Sequence, residues 1–250
     1  MKSYAKVNIF LKITGRQNNY HKLISRFMLI KNYFDEVEFT PSREDSFNIE
    51  GNFSCKIEQN LIYKAYIELL KYTDNLDIKE FFKYNKISVI KLIAEGSGLG
   101  GGSSNASTFL KMINENLNLG LSIEELVTIG SKVGADVPFF LYDIESANVS
   151  GIGEIVEEFN EEALELNILT PKIYCNTADV YKTFREKFYK ETKDIDEFKN
   201  LKSYEVFEKF SIDEANDLYL PALELYPKLK EYAKKDFLFS GSGSSFFTLI

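Results

Sequence analysis

The stretch KISVIKLIAEGSGLGGGSSNAS, residues 86–107, constrains this chain more than any other. Five of the seven residues from Gly96 to Gly102 are glycine, out of fourteen glycines in 250 residues. An apolar run of strand character (86–93) enters the loop. Ala106, Phe109, Leu110, Ile113 and Leu117 leave it at helical spacing. Strand, glycine loop and helix together make an anion site. The first helical N–H groups have no partner inside the helix, the dipole is positive there, and glycine lets a ligand lie against the backbone. A flexible connector is the competing reading, and the clean patterning on both flanks argues against it.

The kind of phosphate loop follows by elimination. Gly96, Gly98 and Gly101 satisfy G-x-G-x-x-G, but a dinucleotide fold wants an acidic residue about twenty positions on, at the end of a second parallel strand. That region instead holds SIEE, where Ser122 and Glu125 form a capping box for a helix running to Gly134. The Walker pattern needs Gly-Lys-Ser/Thr at the end of the loop, and no lysine stands there. A protein kinase needs a His-Arg-Asp motif, and the single histidine is His21.

Elsewhere, residues 4–13 alternate. Ala5, Val7, Ile9, Leu11 and Ile13 form a core face, with Tyr4, Lys6, Asn8, Phe10 and Lys12 opposite, which predicts a half-buried strand. A turn is expected at 15–19, strands at 21–30 and 35–40, and a helix over 61–73 with Asn60 at its cap. Gly120 is placed to close the helix after the loop. Residues 147–156 read as a hairpin on SGIG, and FSGSGSSFF (239–247) as a second glycine turn. The acidic run 154–165 and the charge-dense segment 185–202 read as solvated faces. Strands and helices mix without a steady βαβ rhythm, so the class is α+β, as one large domain or two modest ones.

A formal charge of −8 and a pI near 5.0 argue against a general nucleic-acid or anionic-membrane binder. Lys6, Asn8 and Lys12 interrupt any apolar leader, and no stretch is long enough to span a bilayer, so a cytoplasmic protein is expected. Cys55 and Cys175 lack metal-site spacing, and no resident metal is expected.

What remains after elimination resembles the small-molecule kinases named for galactokinase, homoserine kinase, mevalonate kinase and phosphomevalonate kinase (GHMP kinases). Within them it is most similar to the branch acting on 4-diphosphocytidyl-2-C-methyl-D-erythritol in non-mevalonate isoprenoid synthesis. Besides GSGLGGGSSNAS, the likeness covers AKVNIFLKITG (5–15), NYHKL (19–23), QNLIYKA (59–65), GADVPFF (134–140), SGIGE (150–154), NDL (216–218) and SGSGSSFF (240–247).

The resemblance implies a ribosomal-S5-like N-terminal domain (1–156) for ATP and catalysis, and a ferredoxin-like C-terminal domain (157–250) that completes the substrate cleft. It implies that Lys6 and Asp136 are catalytic, the aspartate taking the hydroxyl proton; the plain alternative for Asp136 is a cap on the turn before Pro138. It places ATP against Ala94, Glu95, Gly96, Ser97, Gly98, Leu99, Gly100, Gly101, Gly102, Ser103 and Ser104, with Asn60 near the adenine. Mg2+ comes with ATP, near Ser103 and Ser104. Asn8, Tyr20, His21, Thr177, Tyr181, Gly241 and Gly243 are implied for the substrate, with Tyr20, His21 and Tyr181 at the cytosine. Ala94 replaces the family's proline and Asn19 the glycine of its GYH motif. The chain reaches Ile250 seven residues after Gly243, where the family continues through a helix and a strand. The competing functions are a homoserine- or mevalonate-type kinase, which would leave the base-reading set idle, and a regulator that binds nucleotide without catalysis.

Overall fold

The structure, a computed structural model, describes residues 1–18, 20–43 and 46–250; Asn19, expected in a turn, lies outside them. Two compact units emerge, and neither is continuous in sequence. Unit 1 comprises Met1–Ala5, Asn32–Ile93 and Gly101–Asp143, and unit 2 comprises Lys6–Lys31, Ala94–Gly100 and Ile144–Ile250. Strands β1 (Lys2–Gln17) and β2 (Tyr20–Pro41) each contribute residues to both. β1 runs through the start of the expected 15–19 turn. β2 is one strand where two were expected, because residues 31–34, left between them, stay extended.

In unit 1, β3 (Ile49–Gly51) pairs parallel with a later strand, before which come α1 (Leu61–Thr73) and α2 (Leu76–Phe81). That strand, β4 (Asn85–Ile90), pairs antiparallel with β2 from Glu36 opposite Ile90 to Pro41 opposite Asn85. The helices α3 (Gly101–Asn116), α4 (Ile123–Val133) and α5 (Val137–Leu141) follow. The expected caps hold. Asn60 accepts the Ile62 N–H at 2.9 Å, and Ser122 and Glu125 form both halves of the capping box. α3 ends four residues before Gly120, with Asn118 also at positive φ. Val37, Ile87 and Val89 of the strands bury against Ile62, Leu69, Phe109 and Ile113 of the helices. Each such side chain contributes roughly 1.5–3 kcal/mol by leaving water.

In unit 2, Leu23–Met28 of β2 pair antiparallel with β5 (Ser146–Gly151), which pairs with β6 (Ile155–Glu158); the SGIG hairpin forms as expected. β7 (Leu166–Leu169) precedes the α-helices α6 (Thr177–Thr183), α7 (Ile195–Asn200), α8 (Ser203–Lys209), α9 (Ile212–Ala215) and α10 (Tyr219–Leu225). β8 (Leu238–Phe239) and β9 (Phe246–Leu249) flank the second glycine turn, and the sheet order is β7-β9-β8. Leu11, Ile13, Val180, Phe184, Leu218, Phe239 and Phe246 share one core.

One expectation about solvation fails, and a second, borne out at Glu157, Glu158, Glu162 and Glu165, fails at one residue. The polar face of β1 is buried as deeply as its apolar face: Lys6, Asn8, Phe10 and Lys12 are all buried. Within the acidic run, Glu161 pairs with Arg26 at 3.1 Å, and the arginine side chain is only 1% exposed. Each polar group is buried because tertiary partners satisfy it, which periodicity alone cannot register.

Candidate active site

The glycine loop packs as part of unit 2. Its backbone is tied at three points: Cys175 N–H to Gly96 C=O at 3.2 Å, Ser245 N–H to Ser97 C=O at 2.9 Å, and Lys6 N–H to Leu99 C=O at 3.0 Å. Leu99 is fully buried beneath it, and Ser97 folds its hydroxyl back onto the Ala94 carbonyl at 2.6 Å. Gly98, at φ +78°, lies so close to the second glycine turn that a Cβ would fall 2.1 Å from the Ser240 carbonyl oxygen. Glycine is therefore required here by protein packing, a constraint that sequence reasoning did not identify. Gly241 and Gly243 are buried in that turn, Gly241 beside the Asn8 carboxamide. Among the loop's neighbours in unit 1, Gly102 is exposed in the first turn of α3 and Ser103 is half-buried. Ser104 is buried and accepts a hydrogen bond from Ser3 at 2.8 Å.

Lys6 and Asn8 share a face of β1 by the period of two. The Lys6 ammonium donates to Asn8 Oδ1 at 2.6 Å and lies 3.4 Å from the Gly98 carbonyl, over the face of Phe27. Asn8 in turn donates to Ser25 Oγ at 2.8 Å. The residue is 97% buried, so the reading of a solvated strand lysine fails. A charge taken that far from water needs the partners it is given.

Asp136 belongs to unit 1, at the start of α5. Its half-buried side chain makes no capping hydrogen bond there, so the plain reading as a turn cap is not what the structure displays. Asn60, in the same unit, spends its side-chain oxygen on α1.

In unit 2, His21 and Tyr181 come together as a stack, ring centroids 5.4 Å apart at 25°. Phe184 meets the imidazole edge-on at 5.6 Å. Nε2 of His21 is buried with no hydrogen-bond partner among the described residues, an arrangement that costs stability unless a ligand completes it. Burial, then the Arg16 and Arg185 charges, push the imidazole pKa below its ordinary value, so the ring is neutral near pH 7. Tyr20 is exposed, and Thr177 and Ser242 pair through their hydroxyls at 2.8 Å.

Sequence reasoning missed two further constellations. In unit 1, Asp35 is completely buried at the root of the loop: it accepts the N–H groups of Leu92 and Ile93 at 2.7 and 2.8 Å, and also binds Lys91 and the Asn105 amide. In unit 2, Asp217 receives Lys12 and the Ile13 N–H, and Asn216 bonds the carbonyls of Phe239 and Gly241. The motif NDL was the only signal for the second, and nothing local marked the first.

Residues 60–143 match the N-terminal domain of GHMP kinases. The chain is 50% identical to the 4-diphosphocytidyl-2-C-methyl-D-erythritol kinase of Sulfurimonas denitrificans, over 98% of its own length and 95% of the relative's. It is 44% identical to that of Campylobacter jejuni, over 99% and 98%. A crystal structure of 4-(cytidine 5'-diphospho)-2C-methyl-D-erythritol kinase superposes with a TM-score of 0.72 at 27% identity, covering 100% of this chain and 89% of the other. A mevalonate kinase structure at 17% identity, TM-score 0.62, shares the fold. With near-full-length likeness of this order, and a buried lysine held against the glycine loop, the chain belongs to the 4-diphosphocytidyl-2-C-methyl-D-erythritol kinases, within the GHMP kinases.

Proposed function

We propose that this kinase transfers the γ-phosphoryl group of ATP to the 2-hydroxyl of 4-diphosphocytidyl-2-C-methyl-D-erythritol, giving the 2-phosphate and ADP. The observation that carries the reading is the buried Lys6 ammonium held between Asn8 and the Gly98 carbonyl, a fixed positive charge on the phosphate loop itself. Phosphoryl transfer asks for positioning and charge stabilisation above all. Residues 1–156 would supply ATP binding and catalysis, and 157–250 would complete the substrate cleft.

In the step itself, the hydroxyl oxygen bonds to the γ-phosphorus while the bond to the β,γ-bridging oxygen breaks and ADP leaves. Asp136 accepts the hydroxyl proton or holds the hydroxyl by it. Lys6 directs its charge to the oxygens of the moving group. The loop from Ala94 and the first turn of α3, with exposed Gly102, hold the triphosphate through backbone N–H groups. Ser103, half-buried there, is the hydroxyl suited to a phosphate-bound cation, since Ser104 is already engaged with Ser3. Mg2+ supplied with ATP would neutralise charge developing on the phosphates. His21, neutral and with an unpartnered ring nitrogen, suits the donor and acceptor edge of cytosine, and Tyr20 and Tyr181 offer it ring faces.

The test is ADP release with ATP and Mg2+ against three acceptors: the cytidine conjugate, homoserine and mevalonate. Turnover confined to the first, falling about 100-fold or more in Asp136→Asn with nucleotide affinity kept, is the expected result. Turnover with another alcohol would discard the cytosine reading, and nucleotide binding without any turnover would favour a regulator.

A further inference from the structure

The side chain that ties the lysine-bearing strand to the phosphate loop is Ser240, in the second glycine turn. It is completely buried. Its hydroxyl accepts the Asn8 backbone N–H at 3.2 Å and donates to the Gly98 carbonyl at 2.9 Å. That carbonyl is the one the Lys6 ammonium faces at 3.4 Å, and Asn8 is the residue whose carboxamide takes the same ammonium at 2.6 Å. One hydroxyl thus fixes two of the groups that hold the lysine.

Ser240 is itself held from both sides. Its N–H donates to the Ser245 carbonyl and its own carbonyl accepts the Gly243 N–H, each at 3.0 Å. The carbonyls of its neighbours, Phe239 and Gly241, receive the two protons of the Asn216 amide at 2.8 and 2.9 Å. Asn216 is 99% buried, its Oδ1 accepts the Leu218 N–H at 2.8 Å, and the next residue's N–H bonds the Leu11 carbonyl of β1 at 2.9 Å. The turn has no freedom to carry the hydroxyl away from β1 without breaking this set.

We infer that Ser240, clamped by Asn216, is a positioning residue for Lys6: it sets the register of β1 against the phosphate loop so that the ammonium points at the transferring group. The inference rests on the reading of Lys6 given under the proposed function. A misplacement of the order of 1 Å costs about 100-fold in rate even when binding survives. Loss of the hydroxyl should therefore appear in kcat, with the KM for either substrate nearly unmoved.

The experiment is a double-mutant cycle of Ser240→Ala and Lys6→Met in the full-length enzyme. Single-turnover rates are measured per native molecule, with native molecules counted by nucleotide titration. Ser240→Ala alone is expected to slow transfer about 10- to 100-fold with each KM within about threefold. In the Lys6→Met background it should add less than about twofold, because a residue that acts through the lysine has nothing left to position. Ser240→Cys keeps the volume while weakening both hydrogen bonds, and gives the same pattern at smaller amplitude if the alanine variant does not fold. Additive losses, an unchanged rate per native molecule, or failure of both variants to fold would each overturn the assignment and leave Ser240 a structural residue. An inactive wild type, or an unimpaired Lys6→Met, would instead overturn the functional reading beneath it.

Discussion

Gly98, in the glycine loop, and Gly102, four residues on in the first turn of α3, should respond in opposite ways to alanine. At Gly98 the backbone sits at φ +78°, where an L side chain costs about 1–2 kcal/mol. The added Cβ would lie 2.1 Å from the Ser240 carbonyl oxygen and 3.1 Å from that of Gly243. Both neighbours are backbone, so no side chain can swing away, and the loop or the turn must retreat by about 1 Å, an overpacking of roughly 1–3 kcal/mol. The retreat also strains the Ser240–Gly98 and Ser245–Ser97 hydrogen bonds, each 2.9 Å long. The sum is about 2–5 kcal/mol, or a fall in Tm of roughly 4–20 °C for a chain of this size. At Gly102 the Cβ would first meet Leu61 Cδ1 at 3.5 Å, an ordinary contact, and the position is helical. There alanine should hold or raise Tm by a few degrees, since glycine in a helix is about 0.5–1 kcal/mol worse. With the phosphates at the start of α3, as proposed, it should nevertheless raise the KM for ATP about tenfold, equivalent to about 1.4 kcal/mol of lost binding. Differential scanning calorimetry and initial-rate kinetics on the two variants decide the matter. A Gly98→Ala enzyme melting within about 2 °C of wild type would refute the packing argument. A Gly102→Ala enzyme with unchanged ATP affinity would remove the helix start from the phosphate site.

His21 gives a pH signature. Its pKa lies below the ordinary 6.5, so between those two values the unfolded chain binds more protons than the native one, and stability declines as pH falls through that window. The KM for the cytidine substrate should rise over the lower part of the same range while the KM for ATP stays level; a flat acceptor KM from pH 8 to 5 would sink the cytosine assignment. Glu161 is pulled up by burial, but hydrogen bonds from Ser203 and Ser146 and the Arg26 charge outweigh this and hold its carboxyl below the usual range. Its contribution is therefore present above the unfolded value and lost as pH falls through the folded one. Glu161→Gln strands the Arg26 charge, buried against Phe159, and should cost about 3–5 kcal/mol, seen as a drop of roughly 6–20 °C in Tm. A drop of less than about 2 °C would mean that the carbonyls of Lys199 and Leu201 suffice for the guanidinium.

Strand β1 shows where sequence reasoning stops. Its alternation was legible, and so were the caps of α1 and α4, because each depends on residues a few positions apart. What alternation reports is a change of polarity, and it was taken for a change of solvation. Lys6, Asn8 and Lys12 face protein, satisfied by Gly98, Ser25 and Asp217, groups that lie 92, 17 and 205 positions away. Asp35 is the same case in FDEVEF: an acidic residue in an alternating strand reads as solvated until Lys91, Asn105 and two backbone N–H groups are brought to it. The glycine loop holds a contact that its composition does not name. Local chemistry correctly marked an approach of something to backbone, but at Gly98 the visitor is the chain's own turn at Ser240. Small residues signal closeness without naming the partner, and polar residues signal hydrogen bonding without saying whether water supplies it. Candidate members of the site can therefore be proposed from the sequence, while the contacts that hold them depend on how distant parts of the chain meet.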